Sequence, residues 1–280
     1  MEYDTNKADR LGEERPRWSA FLFFKGGIIP MTEGLVHSLE SMGLVDGPGI
    51  RTVVFLQGCA LRCQYCHNPD TWTLESRAVE HITPRQLLKR LERFRPYYGT
   101  EGGVTFSGGE PLLQPEFLAE SLALCRQAGI HTCLDTAGCG LGNYGEILNN
   151  TDLVLLDVKH YTPEGFFQVT GSSMEAFLQF VEAVRAAAVP LWVRHVVVPG
   201  LTDNPEHLEG LKAYCSTLPR VERVELLPYH TLGAHKYKAL GIPNLLDGVP
   251  PMDETVLRPW NEAMNRVCVR GNRQGKDEEQ

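Results

Sequence analysis

"LVLLDVK" (Leu153–Lys159) is four apolar residues followed by Asp157-Val158-Lys159. A strand covered on one face alternates apolar and polar, whereas an unbroken apolar run suits a parallel sheet covered on both faces. Five other runs have this character: "TVVFLQG" (52–58), "GVTFSG" (103–108), "HTCLDT" (131–136), "LWVRHVVV" (191–198) and "RVELLPY" (223–229). Segments near 83–95, 115–128, 174–188 and 204–217 separate them with helical character, and another lies near 254–268. Thr83-Pro84 and Gln114-Pro115 place proline where helices begin, while Gly129 and Gly200 sit where elements stop. Strands alternating with helices give an α/β fold with a barrel-like or open parallel sheet. Polar residues gather where the strands end: "SGGE" after the second, "DT" at the third, "DVK" at the fourth and "PYH" after the sixth. In such folds the active site lies on that rim.

The 280 residues suffice for one large domain or two small ones, and the composition is that of a folded protein. No apolar run reaches the length of a transmembrane helix. "SAFLFFKGGII" (19–29) is broken by Lys25 and glycines, lacks a clean cleavage site and follows acidic residues, so it does not read as a signal peptide. A cytoplasmic protein is expected. The net charge of −8 gives no support to nucleic-acid binding. Residues 1–30 show no clean period, and ordered structure is expected to begin at Met31. That extension is either a mis-assigned start, with Met31 the first residue, or a genuine but dispensable segment. The polar stretch 271–280 is expected to be disordered.

"GCALRCQYCHN" (58–68) holds Cys59, Cys63 and Cys66. The other five of the eight cysteines (Cys125, Cys133, Cys139, Cys215 and Cys268) are scattered and read as packing residues. Such a distribution suits a metal centre in a reducing compartment better than a disulfide scaffold. A closed zinc site takes four ligands, and the candidate fourth, His67, directly follows Cys66, an awkward placement for one metal. A four-iron cluster with three protein thiolates leaves one iron open for chemistry.

The spacing C-x3-C-x2-C, with an aromatic before the third cysteine, resembles the signature of radical S-adenosylmethionine enzymes. "DGPGIR" (46–51), "CHNPDTW" (66–72), "SGGEPL" (107–112), "HTCLDTAG" (131–138), "LVLLDVK" (153–159), "VVVPG" (196–200) and "ELLPYHTLGAHKY" (225–237) extend the resemblance over residues 31–270. Together they resemble the glycyl-radical-enzyme-activating family, in its pyruvate formate-lyase branch. Cysteine-rich inserts typical of other branches are missing between residues 67 and 107.

The resemblance implies a partial (β/α)6 TIM-like barrel of the radical SAM type over 31–270. It implies a [4Fe–4S] cluster on Cys59, Cys63 and Cys66 with S-adenosylmethionine on the open iron. It further implies that one electron cleaves this cofactor to a 5′-deoxyadenosyl radical, which abstracts a glycine α-hydrogen from the partner, pyruvate formate-lyase. Reduced flavodoxin or ferredoxin is the implied electron donor, an acidic partner for which Arg62 is a docking candidate, and a monomer is expected.

"SGGE" alone could be a turn; by resemblance Gly108, Gly109 and Glu110 receive the cofactor's amino group, with Gly109 the preferred contact. Asp157 and Lys159 share a strand face, either as a surface ion pair or, by resemblance, as holders of the ribose and methionine parts. His230 resembles an adenosyl contact, and Tyr65, Cys66, His67, Val158 and Arg194 complete the implied cofactor set. Arg194, inside an apolar strand, is either paired with a buried carboxylate or turned to the site. Asp135-Thr136 could be a cap or turn; by resemblance Asp135, Thr136, Asp157 and the carbonyl of Leu155 hold a monovalent cation, Na+ or K+. Asp46 is the implied contact to the substrate glycine backbone. Two rivals stay open: a radical S-adenosylmethionine enzyme with a different target, such as a small molecule or another glycyl-radical enzyme, and a metal-binding structural module.

Overall fold

The computed structural model describes residues 20–24, 27–74 and 79–277, with side chains over 32–74 and 79–269. Residues 1–19 of the N-terminal extension lie outside the described residues, as do 278–280. Strands β1 (Ala20–Phe24) and β2 (Gly27–Met31) pair antiparallel as a separate ribbon.

The main sheet contains β3 (Gly34–Gly43), β4 (Arg51–Leu56), β5 (Glu80–Ile82), β6 (Gly103–Gly108), β7 (His131–Thr136), β8 (Leu153–Asp157), β9 (Leu191–Val197) and β10 (Val221–Pro228). Its spatial order is β10-β9-β8-β7-β6-β4-β3-β5, unclosed. The six strands from β4 to β10 in that order pair in parallel, as the apolar runs predict. β3 and β5 add antiparallel pairings at one edge and have no counterpart in the sequence reading.

Two-sided burial is visible within β8 itself. Val154 and Leu156 join the large core beneath the helices, while Leu153 and Leu155 pack with Cys133 and Trp192 inside the barrel. Helices α1 (Pro84–Leu91), α2 (Arg95–Tyr98), α3 (Pro115–Gln127), α4 (Tyr144–Asn149), α5 (Pro163–Thr170), α6 (Glu175–Ala187) and α7 (Pro205–Cys215) lie between the parallel strands, followed by α8 (Ala234–Leu240) and α9 (Glu254–Asp277). Thr83 and Gln86 form a capping box at α1, and Asn204 caps α7 through the His207 N–H.

The free edge of β10 is covered by α9. Asn265 brackets Val224, accepting from its N–H at 2.9 Å and donating to its carbonyl at 2.7 Å. Asn261 does the same at Leu226. Side-chain amides thus replace the missing strand and close an edge that would otherwise invite pairing. The helix anchored there continues to Asp277, through most of the stretch expected to be disordered. Extending an existing helix adds one hydrogen bond per residue without a new nucleus.

Candidate active site

Past the end of β4 the chain turns at Gly58 (φ +101°) into the cysteine loop. The loop is stitched on two sides. Gly58 N–H donates to Thr71 and Cys59 N–H to Trp72, while Arg62 and Gln64 N–H groups donate to Thr170 and Val169 at the end of α5. Cys63 is buried, Cys59 and Cys66 half-buried. Burial pushes the Cys59 thiol up to about 12 and Cys63 to about 11, and it raises Cys66 as well. Thiolates here therefore call for a strongly cationic partner. Among the described residues no three His, Cys, Asp or Glu side chains converge on a single ion. His67 is set edge-to-face against His230, ring centroids 4.6 Å apart. The donor set thus fits several irons, each taking one cysteine, better than a closed zinc site.

Gly108 and Gly109 bring the end of β6 directly against this loop. A Cβ at Gly108 (φ +115°) would lie 2.3 Å from the Leu56 nitrogen, and one at Gly109 would lie 2.2 Å from the Gly58 oxygen. The Gly109 and Glu110 N–H groups donate to Leu56 and Gly58. Glu110 is buried, and its carboxylate accepts from Thr136 Oγ1 at 2.5 Å, from Ala137 N–H at 2.9 Å and from Leu112 N–H at 3.1 Å. Glu110, the implied contact to the cofactor's amino group, and Thr136, an implied ligand of the monovalent cation, thus have their side-chain oxygens engaged within the protein. They are bonded to each other and brace the turn after β7.

Inside the barrel lies a cavity of about 900 Å³ lined by Asp46, Tyr65, His67, Asp135, Asp157, Arg194 and His230, among others. Arg194 stands opposite Asp157 on one neighbouring strand and Glu225 on the other. Its guanidinium lies 3.2 Å from Glu225 Oε2 and 3.7 Å from Asp135 Oδ1, and it donates to the carbonyl of Val45. Arg194 is therefore both paired with half-buried carboxylates and turned to the cavity, and it tethers the loop that carries Asp46. Ser107 Oγ donates to Asp135 at 2.7 Å. Burial pushes Asp135 up to about 6, against the pull of Arg194. Asp46 is also raised by burial. Arg51, fully buried, donates to Thr105 Oγ1 and to the Val104 and Pro48 carbonyls, pinning the Gly-Pro-Gly turn beside Asp46.

Lys159 Nζ donates to Asp157 Oδ2 at 2.7 Å and lies 5.5 Å from the centre of the Tyr65 ring. The Tyr65 hydroxyl is buried without a hydrogen-bond partner among the described residues, as expected of a group meant for a ligand. Val158 is fully buried. Its N–H donates to Arg194 and its carbonyl accepts from His195, so both backbone groups are engaged within the protein. The Leu155 side chain is core.

Three further residues at the cysteine loop escaped the sequence reading. Trp72 Nε1 donates to Cys66 Sγ at 3.3 Å, and the Tyr237 hydroxyl donates to the Cys66 carbonyl at 2.9 Å. Lys236 ties α8 to Asn68 and Asp70, and Asp70 meets His37 of β3. All three belong to quoted motifs, yet Lys236 and Tyr237 reach partners more than 160 residues away.

A partial parallel barrel with three cysteines and a charged cavity at its rim is the architecture of a radical S-adenosylmethionine enzyme, and residues 53–211 match the Radical SAM superfamily. The pyruvate formate-lyase-activating enzyme of Clostridium pasteurianum is 55% identical over 225 residues, 80% of this chain and 94% of that one. Its counterpart from Streptococcus mutans is 47% identical, covering 78% of this chain and 86% of that one. The chain belongs to this family of activating enzymes within the Radical SAM superfamily. Among solved structures, Streptococcus suis SuiB bound to precursor peptide SuiA aligns at TM-score 0.59 with 17% identity, over 81% of this chain and 46% of that one. QueE from Escherichia coli aligns at 0.50 with 18% identity, over 79% and 94%. At such identities these structures show the fold alone. Family membership carries a [4Fe–4S] cluster and S-adenosylmethionine. No helix among the described residues is long and apolar enough to cross a membrane.

Proposed function

We propose that this chain activates pyruvate formate-lyase by generating a glycyl radical on it. When bound, the cluster on Cys59, Cys63 and Cys66 supplies the electron that splits S-adenosylmethionine into methionine and a 5′-deoxyadenosyl radical, which takes an α-hydrogen from the partner's glycine. The observation that carries this reading is the gathering of Tyr65, Asp157, Arg194, His230 and Asp46 around one cavity beside the cysteine loop.

The chain's own residues then have separable tasks. Asp157 and Lys159 hold the ribose and methionine ends of the cofactor, and Tyr65, Cys66, His67 and His230 enclose its adenosyl part. An ammonium needs acceptors, so the glycine strip offers carbonyl oxygens to the cofactor's amino group, while the N–H groups at 109 and 110 hold the strip against Leu56 and Gly58. Arg194 sets the position of Asp46 through Val45, and Asp46 receives the glycine backbone. Asp135 and Asp157, with the Leu155 carbonyl, supply hard oxygen donors for Na+ or K+. The enzyme works as a cytoplasmic monomer, reduced by flavodoxin or ferredoxin.

The test mixes anaerobically reconstituted, reduced protein with S-adenosylmethionine and pyruvate formate-lyase. A glycyl-radical doublet in the electron paramagnetic resonance spectrum, with matching 5′-deoxyadenosine, is expected. Deoxyadenosine without the doublet removes the proposed target, and neither product from cluster-loaded protein removes the reading.

A further inference from the structure

Among the described residues, Trp72 is the side chain that reaches a cluster cysteine with a polar hydrogen. Its Nε1–H donates to Cys66 Sγ at 3.3 Å, and the exposed guanidinium of Arg62 lies 4.8 Å above the same indole ring. Trp72 is held in this pose from two further sides. Its backbone carbonyl accepts from Cys59 N–H, and Tyr237 packs edge-on against the ring at 6.0 Å while its hydroxyl bonds the Cys66 carbonyl. The indole N–H is therefore aimed at the sulfur by a fixed frame.

We infer that Trp72 tunes the reduction potential of the cluster, by stabilising the reduced state through its hydrogen bond to Cys66. The inference rests on the functional reading above, in which Cys66 is a cluster ligand. Reduction takes one electron from a low-potential donor and adds one negative charge to the irons and their sulfurs. A hydrogen bond to a sulfur ligand strengthens as that charge grows, so it favours the reduced form and raises the potential. The Arg62 cation over the ring polarises the indole and makes its N–H a better donor. Packing alone would need only an aromatic ring at this position. The N–H directed at sulfur is what the tuning role adds, and Trp72→Phe separates the two by keeping a ring and deleting the donor.

The experiment is a redox titration of reconstituted holoprotein without S-adenosylmethionine, with dithionite and mediators, reading the reduced cluster by low-temperature electron paramagnetic resonance. At the ambient potential where the native cluster is half reduced, the reduced-to-oxidised ratio of Trp72→Phe is expected to be about 5-fold lower, or ~40 mV at 59 mV per tenfold. An unchanged ratio at equal iron content overturns the inference. A second measurement depends on no variant. Native protein grown with ¹⁵N-indole tryptophan is expected to show a ¹⁵N hyperfine coupling to the reduced cluster, and absence of that coupling overturns the inference as well. Failure of the native chain to assemble a four-iron cluster overturns the functional reading itself. A native chain that loads the cluster and cleaves S-adenosylmethionine, yet shows neither effect, loses only the role of Trp72.

Discussion

At the exit of β8, Lys159 Nζ donates to Asp157 Oδ2 at 2.7 Å, and both side chains are largely shielded from water. Burial by itself lowers the Lys159 ammonium, but Asp157, Tyr65 and Cys63 raise it well above its usual range. The ammonium stays charged, and its nearest counterion is Asp157. Replacing one member leaves the other charge buried alone, which costs roughly 3–5 kcal/mol. Asp157→Ala is therefore expected to lower the stability of the cluster-free protein by about 3 kcal/mol in urea unfolding. In the holoprotein the same change is expected to weaken S-adenosylmethionine at least ~10-fold by calorimetry, the worth of one charge-assisted hydrogen bond.

Glu110 makes a different prediction from the one its motif suggests. Its carboxylate accepts from Thr136, Ala137 and Leu112 inside the core, and burial raises its pKa even so. Glu110→Gln turns an amide toward backbone donors and leaves at least one of them unsatisfied. A loss of about 1–3 kcal/mol is expected, measured by urea unfolding. Folded variant protein is expected to keep its S-adenosylmethionine affinity within about threefold, because the side chain braces the turn after β7. A large affinity loss at unchanged stability would return Glu110 to the binding site.

The parallel strands were legible because a strand buried on both faces must be apolar on both, and "LVLLDVK" shows this within seven residues. β3 was not legible. Its sequence "GLVHSLESMG" is covered at one end and solvated at the other, so its pattern matches no single template. Cys59, Cys63 and Cys66 declare themselves by spacing, a local property. Arg194 declares itself as a charge inside an apolar strand, but its partners Val45, Asp135 and Glu225 do not, since they come from three distant segments. The partners of Glu110 were hidden for the same reason. A carboxylate at a strand end looks alike in sequence whether it faces a ligand or the backbone of the next turn.

His195 and His207 give the protein an acid-sensitive spot behind the site. His195 Nδ1 donates to the Val158 carbonyl at 2.7 Å, so its Nε2 accepts from His207 Nε2–H at 3.1 Å. Burial drives His195 down to about 3 and His207 to about 4. The unfolded chain therefore binds more protons than the folded one as pH falls from ~6.5 toward 4. This contribution to stability is complete above that window and is lost on acidification through it. Asp46, Asp135 and Glu110, whose pKa values are raised, act in the opposite sense, so a difference between variants isolates the pair. His207→Gln keeps a donor for His195 and removes one titration. The slope of unfolding free energy between about pH 6 and 4.5 is expected to fall by up to ~1.4 kcal/mol per pH unit, one proton's worth.

Arg62 carries the prediction about electron entry. Its guanidinium is exposed, yet it is held by the Cys59 and Leu61 carbonyls at 2.7 and 2.8 Å and by the Trp72 ring. A fixed positive charge next to the cysteine loop is what an acidic redox protein would meet on docking. Charge reversal there acts mainly on encounter, and encounter rates between opposite charges change about tenfold or more at low ionic strength. Arg62→Glu is expected to slow reduction by flavodoxin about 10-fold in stopped flow, and added salt is expected to narrow the gap to native as the Debye length shrinks. Photoreduction by deazaflavin, which needs no docked protein, is the control and is expected to proceed alike in both at equal iron content. Equal rates with flavodoxin at low salt would move the docking face away from Arg62. A matching loss with deazaflavin would instead assign the defect to the loop that Arg62 holds, through its bonds to Cys59 and Leu61.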